Sequence, residues 1–153
     1  MPRAGAPYIS VVGASQATPE QMQVAEEVGR LLAHAGAIVV TGGQGGVMAG
    51  ASKGAADAGG LVVGFLPGLD RDSANEWVKV AIPTGLGHLR NGLVIRSADA
   101  VIAVAGAYGT LSEVALALTH DLRVFGLGTW AIEGIEPCGS PAEAVERALR
   151  AAA

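Results

Sequence analysis

Residues 98–118 read ADAVIAVAGAYGTLSEVALAL. The run Ala98–Ala105 is apolar and has the length of a buried strand, while the alanine-rich stretch behind it has the composition of a helix. Gly106, Ala107, Tyr108, Gly109 and Thr110 join the two, and Glu113 is the only charge near the helix start. A strand, a glycine loop and a helix in immediate succession are the repeating unit of a parallel sheet.

The same order recurs along the chain. YISVVG (Tyr8–Gly13) is a short β-branched run ending in glycine, and TPEQMQVAEEVGRLLAHAG follows it. Thr18 predicts an N-cap, Pro19 suits the first helical position, and Gln21 stands where a capping box needs it. Met22, Ala25, Val28, Leu31 and Leu32 recur at helical spacing, and Gly36 supplies the stop. A strand over 37–41 leads through GGQGG into a small-residue helix ending near Ala58. LVVGFLPG predicts a third strand, LDRDSANEW an exposed loop, VKVAIPTG a shorter strand and LGHLRNGLVIRSA a helix. After the opening unit come the strand RVFGLG and a last helix from Ser140. These elements predict an α/β fold in which a doubly wound, Rossmann-like and mainly parallel sheet carries helices on both faces, with residues 1–153 as one ligand-binding domain.

Composition narrows the function classes. Half of the residues are apolar and 16% are charged, which predicts that part of the surface is covered in a homo-oligomer, a dimer or tetramer. The net charge is −4 and the lysines and arginines are scattered singly, so no basic stripe is offered to a nucleic acid. No uninterrupted apolar run reaches membrane-spanning length, and MPRAGAPYIS lacks the apolar core of a signal peptide. A cytoplasmic, soluble protein with neither nucleic-acid nor membrane partner is expected. The single cysteine, Cys138, has no internal disulfide partner. His34, His88 and His120 are far apart, with no spacing of a metal site, and no catalytic cofactor is required by any motif.

Ligands of doubly wound sheets bind at the carboxyl ends of the strands, where the winding reverses. That rule selects Gly13 and Ser15 after the first strand, Gly42, Gly43, Gly45 and Gly46 after the second, and Gly106, Tyr108, Gly109 and Thr110 after DAVIAVA. A helix that starts near Gly109 presents backbone N–H groups without intrahelical partners and the positive end of its dipole, and glycine lets an anion approach. A phosphate suits this position, with the Thr110 hydroxyl as an added donor. Gly45 and Gly46 repeat the arrangement one strand away. Neither loop matches a dinucleotide or P-loop fingerprint, and tight turns with close packing account equally for the glycines. In GHLRN, Arg90 and Asn91 lie away from a Leu86–Leu89–Leu93 stripe. On periodicity Arg90 is either a solvated helix arginine or a bidentate partner for phosphate or carboxylate. Glu113 reads as a dipole-complementing carboxylate, a capping residue or a site residue.

GGQGGVM, GGLVVGFLPG, GLGHLRNGLVIRSADAVIAVAGAYGTLSEVALAL and GLGTW together resemble the molybdenum-cofactor carrier proteins and their bacterial relatives. These are similar in turn to the Lonely Guy phosphoribohydrolases, which release cytokinin bases from nucleoside 5'-monophosphates. The hydrolase pattern P-G-G-x-G-T-x-x-E falls on residues 105–113, with alanine at Ala105 for the proline and at Ala107 for the second glycine. The arginine of M-x-x-R-K falls on Arg90, with Gly87 and Asn91 at the flanking positions. The resemblance implies a phosphorylated, nucleotide-like small molecule as partner and the molybdenum cofactor as a candidate bound ligand. If the chain is instead a nucleoside 5'-monophosphate hydrolase, the resemblance makes Arg90 and Glu113 its catalytic residues. RNGLVIRSADA fits the carrier branch better.

Overall fold

β-Branched runs bounded by glycine become seven strands in the computed structural model, which describes residues 5–153; Met1–Ala4 of the opening stretch lie outside the described residues. The strands are β1 (Tyr8–Gly13), β2 (Ile38–Thr41), β3 (Val62–Leu66), β4 (Val80–Pro83), β5 (Ala100–Val104), β6 (Val124–Leu127) and β7 (Ile135–Pro137). All pair in parallel, in the order β4-β3-β2-β1-β5-β6-β7. The chain winds outward from β1 to β4, then restarts at β5 on the other side of β1. The two central strands, in register from Ile9↔Ala100 to Gly13↔Val104, therefore end at the point where the winding reverses, and their loops diverge to leave a crevice.

Five helices cover the sheet: α1 (Pro19–His34), α2 (Val47–Asp57), α3 (Asn91–Arg96), α4 (Tyr108–Thr119) and α5 (Pro141–Ala152). Alternate strand residues point to opposite faces. Ile9, Val11, Val39, Ile102, Val104 and Phe125 pack with α1, α2 and α5, whereas Val12, Val40, Val101, Ala103 and Val124 pack with Val94 and Ile95 of α3 and Val114 and Ala117 of α4. Burial on both faces explains why the central strands read as continuous apolar runs.

Local chemistry sets the helix ends. The Thr18 hydroxyl accepts from the Gln21 amide at 3.2 Å and the Gln21 side chain accepts from the Thr18 amide at 3.0 Å, completing the capping box that the sequence predicts. Ser140 caps α5 through the Glu143 amide. The segment expected as a single helix from Leu86 departs from prediction: Gly87–Arg90 form a 3-10 turn and only Asn91–Arg96 are α-helical. Gly87 has a φ of +58°, outside helical space, and this breaks the segment. β7 is an addition to the expected elements. Its Glu136 is held by Arg123 and Arg147, a surface anchor for the sheet edge.

Candidate functional site

Three segments separated in sequence meet at the carboxyl ends of β1 and β5, and the β1 loop closes the space between them. Gly13 and Ser15 from the β1 loop, Gln44 and Met48 from the β2–α2 segment, His88, Arg90 and Asn91 from the 3-10 turn and α3, and Ala107, Gly109, Thr110 and Glu113 from α4 and its entry line a cavity of about 250 Å³. Of the residues expected from sequence, Gly13, Ser15, Arg90, Asn91, Gly109, Thr110 and Glu113 come together here. Gly42, Gly43, Gly45, Gly46, Gly106 and Tyr108 do not line it.

The glycines divide by what surrounds them. A side chain at Gly46, where φ is +64°, would place its Cβ 2.1 Å from the Ala14 carbonyl oxygen, and one at Gly106 would lie 2.4 Å from the Thr110 side chain. These two make turns and close contacts. At Gly109 a Cβ meets nothing within 4 Å, and at Gly45 only the Ser15 carbonyl at 3.7 Å. Two glycines thus border open space. The two helix starts are also unequal. The Val47 amide of α2 donates to the Ala14 carbonyl at 2.8 Å, so the β1 loop occupies that end. α4 begins with no side-chain cap, leaving its first amides and its positive dipole end beside the cavity.

Arg90 is buried, at 8% exposure, and is not the solvated helix arginine that periodicity allowed. Its Nε donates to the Phe65 carbonyl at the end of β3 at 2.9 Å, one terminal nitrogen donates to the Asn91 side-chain oxygen, and the other reaches Gln44 Oε1 at 3.4 Å. Gly42 leaves room for the guanidinium, since a Cβ there would sit 2.8 Å from Nη2. The Leu86–Leu89–Leu93 stripe faces outward instead, with Leu89 77% exposed.

Glu113 is buried at 9% exposure, yet among the described residues none donates a hydrogen bond to its carboxyl. Burial pushes this carboxyl up to about 7, against a smaller downward pull from the Arg90 charge. The same burial lowers the Arg90 guanidinium from its ordinary value, and the attraction of Glu113 partly opposes that shift. A site with one engaged cation and one poorly solvated acid can bind an anion, or can move a proton near neutral pH.

Sequence reasoning passed over Gln44, Met48 and His88 as site residues. Gln44 carries the only side chain within GGQGG, which is the signal that marks it. Asn75, in the loop read as exposed, ties that loop to the glycine segment: its backbone amide donates to the Gly43 carbonyl at 2.8 Å and its side chain to the Gln44 carbonyl at 2.9 Å. Tyr108 lies outside the cavity, its ring 6.1 Å from that of Trp130. His34 and His120 lie near Arg30 and Arg96. Cys138 is half-buried, and burial pushes its thiol up. Among the described residues, no group of three or more His, Cys, Asp or Glu is placed to hold a metal ion.

The sequence profile of the SLOG cluster4 family matches residues 6–149. The chain belongs to this family. Two solved structures place this SLOG cluster4 protein among similar folds. The molybdenum cofactor binding protein of Rippkaea orientalis is 37% identical, with 93% of this chain and 94% of that one covered at a TM-score of 0.88. The molybdenum cofactor carrier protein of Chlamydomonas reinhardtii is 33% identical, with 95% and 98% covered and a TM-score of 0.88. A protein of Oryza sativa subsp. japonica named as a probable cytokinin riboside 5'-monophosphate phosphoribohydrolase is 34% identical over 73% of this SLOG cluster4 chain and 48% of its own length. The chain thus spans about half of that relative. The Rossmann-like fold and the similarity to molybdenum-cofactor carrier proteins agree with the expectations from sequence.

Proposed function

We propose that this SLOG cluster4 protein binds a phosphorylated, nucleotide-like small molecule in the β1–β5 cavity and serves as a carrier, with the molybdenum cofactor as the candidate cargo. The observation that carries this reading is the uncapped start of α4, with Gly109 open, facing a cavity that also holds buried Arg90 and Glu113. The phosphate sits against the first amides of α4 and the Thr110 hydroxyl, and the rest of the molecule extends toward Gln44, Met48 and His88. The similarity to the two molybdenum-cofactor proteins supports the choice of cargo. Native mass spectrometry of the purified protein, with identification of the co-purifying small molecule, tests it. A phosphorylated pterin fits the carrier, and a protein free of any phosphorylated ligand overturns it.

A second reading is favoured by the placement of Arg90 and Glu113 in one cavity. A phosphoribohydrolase would use Glu113 to assist the departing base or the attacking water, and Arg90 to orient the phosphate or base. Ala107 and Asn91 depart from the hydrolase pattern, so weak or absent turnover is expected. Release of free base from adenosine 5'-monophosphate, lost in Glu113→Gln, would put hydrolysis first.

In this proposal the protein acts in the cytoplasm as one ligand-binding domain in a dimer or tetramer. The outward Leu86–Leu89–Leu93 stripe and Tyr108, 81% exposed, are the surface such an assembly would cover. No nucleic-acid or membrane partner is part of the proposal. Arg30, Lys53, Arg123, Arg147 and Arg150 are already engaged by carboxylates, and no helix of the described residues is long and apolar enough to cross a membrane.

A further inference from the structure

The two charged side chains that meet in the cavity are served very differently. Arg90 donates to three protein oxygens, the Phe65 carbonyl, Asn91 and Gln44. Glu113 points into the same cavity and receives no hydrogen bond from any described residue. The groups that face it are His88 and Arg90 from the 3-10 turn, Asn91 from α3, Ser15 from the β1 loop, Gln44 and Met48 from the β2–α2 segment, and Thr110 from its own helix. Among these described groups Arg90 is the one permanent cation and Glu113 the one acid.

Thr110 and Glu113 are three residues apart on α4, so a phosphate at the start of the helix lies within roughly one helical turn, about 5 Å, of the carboxyl. Two anions this close in a partly enclosed cavity repel, and the single positive charge of Arg90, the one permanent cation lining it, cannot neutralise both. A proton removes the conflict. It also turns the carboxyl from an acceptor into an O–H donor, which can bond to a phosphate oxygen or a ligand carbonyl. We propose that the cavity takes up a phosphate monoester together with one proton, and that the proton resides on Glu113. The inference rests on the phosphate-binding reading above. It makes ligand capture favourable at lower pH and release favourable at higher pH, with affinity falling by about tenfold per pH unit where the free carboxyl is ionised.

The test is calorimetry of the full chain with adenosine 5'-monophosphate at pH 8, in buffers of different ionisation enthalpy. At that pH the phosphate is doubly ionised, since its second pKa is about 6, so uptake reports on the protein. The expected result is uptake approaching one proton per bound nucleotide, an affinity about tenfold weaker at pH 8.5 than at pH 7.5, and loss of the uptake in Glu113→Gln. Binding without uptake overturns the coupling and leaves the phosphate reading standing. So does uptake that survives Glu113→Gln and disappears in His88→Asn. Failure of the wild-type protein to bind the nucleotide anywhere from pH 6 to 8.5 overturns both.

Discussion

Replacing Glu113 by glutamine changes how the stability of the unliganded protein depends on pH. In the unfolded chain this carboxyl titrates near the 4.5 of a solvated glutamate, and in the folded protein burial holds it up to about 7. Between those values the folded state binds the extra proton. The wild type therefore has its full stability from this group below pH 4.5 and loses it progressively as the pH rises to about 7. Each unit of difference corresponds to about 1.4 kcal/mol, so the loss amounts to about 3 kcal/mol. In Glu113→Gln the amide keeps the shape of the carboxyl and cannot ionise. The stability gap between Glu113→Gln and wild type should thus move by about 3 kcal/mol in favour of the variant from about pH 4.5 to about pH 8. Urea unfolding at a fixed protein concentration across this range measures the gap, and the contributions of other titrating groups cancel in the difference. A gap constant to within about 1 kcal/mol would refute the claim that burial outweighs the attraction of Arg90.

Three further outcomes are expected. Arg90→Ala should lower stability by about 2–4 kcal/mol, because the Phe65 carbonyl and the Asn91 side chain lose their donor, and Arg90→Lys should recover only part of this; urea midpoints with unchanged slopes would measure both. Gly109→Val should keep the fold and abolish binding of the co-purifying ligand by calorimetry, whereas Gly46→Val should unfold or strongly destabilise the chain through its +64° backbone and the Ala14 carbonyl 2.1 Å from its Cβ. Leu89→Glu should shift the protein toward a monomer in sedimentation at micromolar concentration, since a carboxylate in the outward leucine stripe disfavours a buried interface; an unchanged oligomer would move the interface elsewhere.

Much of the fold is legible because its cues are local. β-Branched runs ended by glycine mark the strands, and Thr18 with Gln21 announces the start of α1 within a single turn. β7 is not legible: Ile135, Glu136 and Pro137 show neither apolar continuity nor alternation, and the strand forms because β6 offers it an edge. The leucines at 86, 89 and 93 suggest a buried helical stripe, but the turn at Gly87 rotates Arg90, Asn91, Val94 and Ile95 inward. The candidate site follows the same division. Its placement at the ends of β1 and β5 follows from the winding rule, and the open position of Gly109 agrees with a loop built for close approach. The inward role of Arg90 depends on acceptors 25 and 46 residues away, at Phe65 and Gln44, which no periodicity within GHLRN can reveal. The glycines that only make turns are indistinguishable in sequence from those that leave space.

The bonds from Arg90 to Phe65 and Gln44 bear on how this protein is studied in cells. The side chain that gives the cavity its cation also fastens the end of β3 to the turn before α3. A destabilisation of about 1–2 kcal/mol is enough to change the cellular abundance of a protein several-fold through the action of chaperones and proteases. A strain carrying Arg90→Ala will therefore show its deficit first as missing protein. Phenotypes of such strains become informative about the cargo only after normalisation to the amount of folded chain, and Gly109→Val, which touches neither bond, is the substitution that separates supply of the protein from its use.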